Sequence, residues 1–85
     1  MSLSNMVHSI KELFPDFIIL LKVGTFVDSY NDDASIMSYL FKYKLKTLGS
    51  LNTTCGFPTS SINHITGVLE SKNINYLVVD KKIGY

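Results

Sequence analysis

An α+β fold is what this sequence predicts: a small mixed β-sheet with helices packed against it in two layers, in the order α-β-β-α-β-β-α-β. Two observations lead. The apolar, partly β-branched runs Phe17–Val23 and Tyr76–Val79 have the character of buried strands. Three other stretches place apolar residues at three- and four-residue steps, the period of a helix with one buried face. A third observation sets the organisation. No internal repeat and no linker interrupts the chain, so the elements must layer on one another as a single domain over residues 1–85.

The first helix is carried by Leu3, Met6, Val7, Ile10, Leu13 and Phe14, with Ser2 or Ser4 as cap and Pro15 as the stop. Phe17–Val23 follows as a central strand covered on both faces. Gly24 breaks it, and Thr25–Tyr30 alternates as a second strand, so the short link makes a hairpin. Asn31-Asp32-Asp33 opens a helix through about Lys42; these residues are expected to cap it and to complement its dipole. Ile36, Met37, Leu40 and Phe41 form its inward face. Tyr43–Leu48 is expected to be a short strand ending at Gly49-Ser50. Thr53–Phe57 is expected to be another, stopped by Pro58. Thr59-Ser60-Ser61 supplies caps for a helix bearing Ile62, Ile65, Val68 and Leu69, and Asn73 suits its C-terminal end. Tyr76–Val79 closes the sheet.

Composition limits the function classes. With 46% hydrophobic and 18% charged residues, the 85-residue chain is globular in character. It buries only roughly 60–65% of its unfolded surface, so its core is thin. A lone cysteine, Cys55, forms no internal disulfide, which points to a reducing, cytoplasmic setting. The apolar run Phe17–Leu21 is far short of a membrane span, and the N-terminus lacks the pattern of a secretory signal. All eight cations are lysines, arginine is absent, and the net charge is +1. Any nucleic-acid binding by this chain alone is therefore expected to be weak and salt-sensitive.

In this order the residues resemble a known family. Phe14-Pro15-Asp16 precedes a strand; Lys22-Val23-Gly24-Thr25-Phe26-Val27-Asp28 follows; then come Asn31-Asp32-Asp33-Ala34, Cys55-Gly56-Phe57-Pro58 and Val78-Val79-Asp80. The set is similar, over about seventy residues, to the N-terminal mismatch-recognition domain (domain I) of the MutS DNA mismatch repair proteins. The resemblance implies binding of mismatched or distorted double-stranded DNA. Phe26 would be a wedge that stacks on the mispaired base, and Asp28 a base contact. Gly24 belongs to the same signature. An apolar wedge partly unstacks a base step, and a mismatch makes that cheaper because less pairing is lost.

The chain departs from the family pattern at several places. Asp28 stands for glutamate, Val27 for tyrosine and Thr25 for aspartate. Thr47-Leu48-Gly49 replaces a Lys-Arg-Gly turn, leaving Lys44 and Lys46 as the nearby cations. Thr59-Ser60-Ser61 lacks the usual histidine, and Lys81 stands for glutamine.

Structural roles compete with each functional one. Phe26 on an alternating strand is commonly a core residue, and Asp28 commonly a solvated one. Lys42, Lys44 and Lys46 form either a phosphate-contacting edge or one that discourages strand-to-strand aggregation. Cys55 with His64 is better read as a small buried residue and a bystander than as a nucleophile and base, and His8 and His64 lack zinc spacing. Pro15-Asp16 with Asp80-Lys81-Lys82 imitates a metal-dependent nuclease pattern, but strands and helices separate its halves. No phosphate-binding Gly-x-x-x-x-Gly-Lys motif is present, so ATP hydrolysis is not expected. The expectation is a non-enzymatic domain with no cofactor, natural in this form or excised from a longer protein. Its partner is mismatched DNA or, as the alternative, a protein: a larger repair factor or its own copy.

Overall fold

The computed structural model of the protein describes residues 3–48 and 52–80. Its elements are α1 (Leu3–Leu13), β1 (Ile18–Val23), β2 (Phe26–Tyr30), α2 (Asn31–Phe41), β3 (Lys46–Leu48), β4 (Asn52–Pro58), a 3₁₀ turn (Thr59–Ser61), α3 (Ile62–Ser71) and β5 (Tyr76–Asp80). This is the predicted order, element for element. Ser2, Gly49, Ser50, Lys81 and Lys82, named above for caps, turns and motifs, lie outside the described residues.

One five-stranded sheet runs β3-β4-β2-β1-β5. The β1–β2 hairpin is antiparallel, β4 pairs antiparallel with both β2 and β3, and β5 lies parallel to β1. Strand β1 is buried on both faces because its residues alternate between two cores. Ile18 and Leu20 join Val27, Cys55 and Phe57 under α2 and α3, which contribute Ala34, Met37, Ile65 and Leu69. Ile19 and Leu21 face the other way, against Val7, Met6 and Ile10 of α1 and Leu77 and Val79 of β5. Helix α1 thus adds a layer over the β1–β5 half of the sheet and reaches Tyr30 at the end of β2, and no helix among the described residues covers the rest of that face of β2, β4 and β3. No helix among the described residues is long and apolar enough to cross a membrane.

Local structure corrects three sequence readings. Asp33 is not simply a dipole residue of the first turn. Its carboxylate is buried, accepts the Ile19 N–H at 3.1 Å and pairs with the Lys11 ammonium at 2.8 Å, tying α1, β1 and α2 together. Asn31 makes no side-chain cap either; its φ is +56°, and its Oδ1 accepts the Thr53 N–H at 3.1 Å. Likewise α3 is entered through the 3₁₀ turn, and Ser61 makes no side-chain cap bond. By contrast Asn73 does end α3: it takes the left-handed conformation, φ +59°, and Ile74 N–H returns to Leu69 O at 2.9 Å.

The predicted strand Tyr43–Leu48 forms only over Lys46–Leu48. Lys42 ends α2 in the left-handed region (φ +63°), and Ser38 Oγ donates to Tyr43 O at 2.6 Å. That reversal turns the Tyr43 ring onto Phe57, stacked at 5.9 Å, so Tyr43 packs against the core and residues 42–45 do not join the sheet.

Candidate nucleic-acid interface

The helix-free part of the sheet forms an open groove of about 490 Å³. Strand alternation builds it. Phe26, Asp28 and Tyr30 share one face of β2 because they are two residues apart. Antiparallel pairing sets Thr54 and Gly56 of β4 beside Tyr30 and Asp28, and Lys46 of β3 beside Thr54. Tyr43 and Lys44, from the segment after α2, complete the wall.

Phe26 stands at the rim. The hairpin turn is Gly24-Thr25, with Val23 opposite Phe26, and Gly24 has φ +61°. A positive φ at the first of two turn residues is what a tight II′ hairpin demands, and glycine meets it without strain. The Thr25 carbonyl accepts the Thr59 N–H at 2.9 Å, which ties the turn to the end of β4. Phe26 emerges from this braced turn 52% exposed, whereas its β2 neighbour Val27 is fully buried. Phe26 is therefore not a core residue, and its ring is accessible at the rim of the groove.

Asp28 lies on the groove floor, directly over Gly56. A Cβ built at position 56 would meet Asp28 Oδ1 at 2.5 Å, so only glycine leaves room for the carboxylate where it sits. Burial raises the Asp28 pKa above its ordinary value, and the Lys46 ammonium offsets part of that rise. Tyr30 and Cys55 are pushed up too, first by burial and then by the Asp28 charge. The groove therefore has an aromatic rim, an acidic floor whose proton is held more tightly than usual, and a lysine edge.

Of the residues expected from sequence, Phe26, Asp28, Lys44 and Lys46 converge on this groove, and Gly24 supports it from the turn. Lys42 does not join them; its ammonium lies 5.6 Å from the Tyr39 ring centre. Tyr30, Tyr43, Thr54 and Gly56 were not foreseen as site residues. Tyr30 was implicit in the period of β2, but Thr54 and Gly56 depend on β4 lying next to β2. The strand expected over Thr53–Phe57 is β4, which runs from Asn52 through Pro58.

The other constellations have structural explanations. Cys55 is fully buried in the core, and exposed His64 packs edge-on against Phe41 at 6.2 Å. The halves of the nuclease pattern do fall near neighbouring strands, contrary to the expectation from sequence. However, Asp16 precedes the start of β1 while Asp80 ends its parallel partner β5. The paired stretch from Ile18 to Lys22 keeps them on the order of 13 Å apart along the strands, at 3.3 Å per residue. Among the described residues no three of His, Cys, Asp and Glu cluster to hold a metal ion.

The mixed sheet thus carries α2 and α3 on one face and, on the other, α1 beside an aromatic, acid-floored groove, and comparison with protein families gives the fold a place. The family model of MutS domain I matches residues 2–81, nearly the whole chain. The chain belongs to the MutS domain I family, the mismatch-recognition domain of DNA mismatch repair. No curated protein matches it.

Proposed function

We propose that this domain binds mismatched or distorted duplex DNA by inserting Phe26 from the minor-groove side, and that it acts by binding and not by catalysis. The observation that carries the reading is the half-exposed Phe26 ring on the braced Gly24-Thr25 turn, at the rim of a groove with Asp28 on its floor. An aromatic wedge there stacks on an extruded or poorly paired base, at a cost lower for a mismatch than for a stacked pair. Asp28 meets the base from below. An ionised carboxylate is repelled by phosphates, so a site that raises its pKa makes a protonated or proton-sharing contact more accessible. Lys44 and Lys46 contact the phosphate backbone, which positions the duplex without reading its sequence.

The electrostatic component is small. Net charge is +1 and arginine is absent, so affinity comes from stacking and a few lysine contacts, and falls steeply with salt. That same near-neutral charge supports a second reading, a module that docks on a larger repair protein or on its own copy.

Fluorescence anisotropy of a labelled duplex at about 50 mM salt, where phosphate contacts are strong, separates the two. The DNA reading expects tighter binding to a duplex with a mismatch or single-base bulge than to the matched duplex. A folded sample that binds neither sinks that reading and leaves the protein partner.

A further inference from the structure

Asp28 lies over Gly56, the one position among the described groove residues that has no side chain, and nothing in the wedge-and-lysine scheme requires that position to be bare. Gly56 is in the middle of β4, where glycine weakens a strand through its backbone entropy and packs nothing. Its φ is not in the left-handed region. The position therefore needs glycine for space and not for backbone freedom. The space is taken by a single group: the nearest atom to an added Cβ is Asp28 Oδ1 at 2.5 Å, while the next, the Val27 carbonyl oxygen, is an ordinary 3.6 Å away.

We propose that Gly56 is a positioning residue that holds the Asp28 carboxylate flat on the sheet beneath the Phe26 rim, and thereby sets the acid's contribution to mismatch preference. The last clause rests on the DNA reading above; the positioning itself does not. Aspartate is one methylene shorter than glutamate, and over a bare glycine the short side chain packs on the β4 backbone beside Lys46. A methyl group at position 56 displaces the carboxylate toward solvent. The clashing atom is the free end of a flexible side chain, so the acid moves and the strand stays.

The test combines Gly56→Ala, Asp28→Ala and the double variant, each checked for folding by circular dichroism. The first readout is the Asp28 carboxyl titration followed by NMR. The titratable groups around it are Lys46 from β3, Lys44 and Tyr43 from the segment before it, Tyr30 from β2 and Cys55 from β4, and none is altered by Gly56→Ala. In the wild type Asp28 titrates above its ordinary 3.8; in Gly56→Ala it moves back toward that value. A purely structural glycine would not shift this titration.

The second readout is the urea midpoint at the pH where Asp28 is half-titrated in the wild type: the change caused by Gly56→Ala differs between the wild-type and Asp28→Ala backgrounds, because only in the former does the added methyl displace a carboxylate. The third is the ratio of mismatched to matched duplex affinity, in which Gly56→Ala, Asp28→Ala and the double variant lose the same share. An Asp28 titration identical in wild type and Gly56→Ala overturns the positioning role. A wild-type preference kept in full by Gly56→Ala overturns its link to recognition. A wild type without any preference rejects the DNA reading and that link together, while the titration and the urea cycle still decide the positioning.

Discussion

Replacing Asp33 by alanine removes a carboxylate that three elements share. Its side chain is only 4% exposed; Oδ2 accepts the Ile19 N–H at 3.1 Å and Oδ1 accepts from Lys11 Nζ at 2.8 Å. Ile19 is fully buried, so its amide has no water to turn to. A buried donor left unpaired costs about 1–3 kcal/mol. Lys11 fares better: its side chain is 32% exposed and its ammonium keeps the Phe17 carbonyl at 2.6 Å. The loss there stays below the ~3–5 kcal/mol of breaking a fully buried pair. Together the destabilisation of Asp33→Ala is about 3 kcal/mol, and for a domain of this size each kcal/mol shifts the melting temperature by roughly 4–8 °C. Thermal and urea denaturation followed by circular dichroism should therefore show a fall of at least 10 °C, on the order of these figures. Asp33→Asn keeps an acceptor for Ile19 and should lose less, while Asp32→Ala, on the exposed side of the same turn, should change stability by no more than about 0.5 kcal/mol. If Asp33→Ala is as mild as Asp32→Ala, the buried tie between α1, β1 and α2 is wrong.

Gly24→Ala should destabilise the domain by about 1–2 kcal/mol, the cost of a left-handed non-glycine residue, measured as a lower urea midpoint. Space is not the cause there, because an added Cβ meets nothing within 4 Å. The raised Asp28 pKa predicts a pH effect of definite sign. The folded state holds the proton more tightly than the unfolded one, so this group's contribution to stability is greatest below the ordinary value of 3.8 and is lost as pH rises through the folded pKa. Asp28→Asn should remove that loss, so the variant gains on the wild type between acidic and neutral pH; a gap that narrows over this range contradicts the buried position. Lys46→Gln should reduce the slope of log affinity against log salt by about 1 for matched and mismatched duplexes alike, and a change confined to the mismatch would contradict a phosphate contact.

Much of this fold was legible because local signals agreed with one another. The apolar run from Phe17 to Leu21 is continuous since β1 is covered on both faces, by α1 and by α2 with α3. Gly24 marks a two-residue hairpin because its backbone is left-handed. Asn73 ends α3 for the same reason. What sequence did not disclose depends on pairing between distant segments. Asp33 looks like any first-turn acid until Lys11 and Ile19 arrive beside it, and Gly56 looks like an ordinary strand glycine until β4 lies along β2 and brings it under Asp28. The Tyr43 segment misled for a related reason. Its alternation of lysines and apolar residues suits a strand, but stacking of Tyr43 on Phe57 holds it to the core.

The candidate site follows the same division. Phe26, Asp28, Lys44 and Lys46 were accessible to sequence reasoning because they lie in or near contiguous motifs. The groove's other wall, Thr54 and Gly56, comes from a strand about 28 residues further along and is joined only by the sheet.

The most direct test of the central claim places 2-aminopurine next to a mismatch in an otherwise paired duplex. Its fluorescence is quenched by stacking, so unstacking of the step by a wedge raises the signal. Wild-type protein should raise it on the mismatched duplex and not on the matched one, and Phe26→Ala, folded and equally stable within about 1 kcal/mol for a residue half-exposed at the rim, should leave it unchanged. An equal rise with Phe26→Ala, or no rise in a duplex that anisotropy shows to be bound, would contradict recognition by the Phe26 wedge.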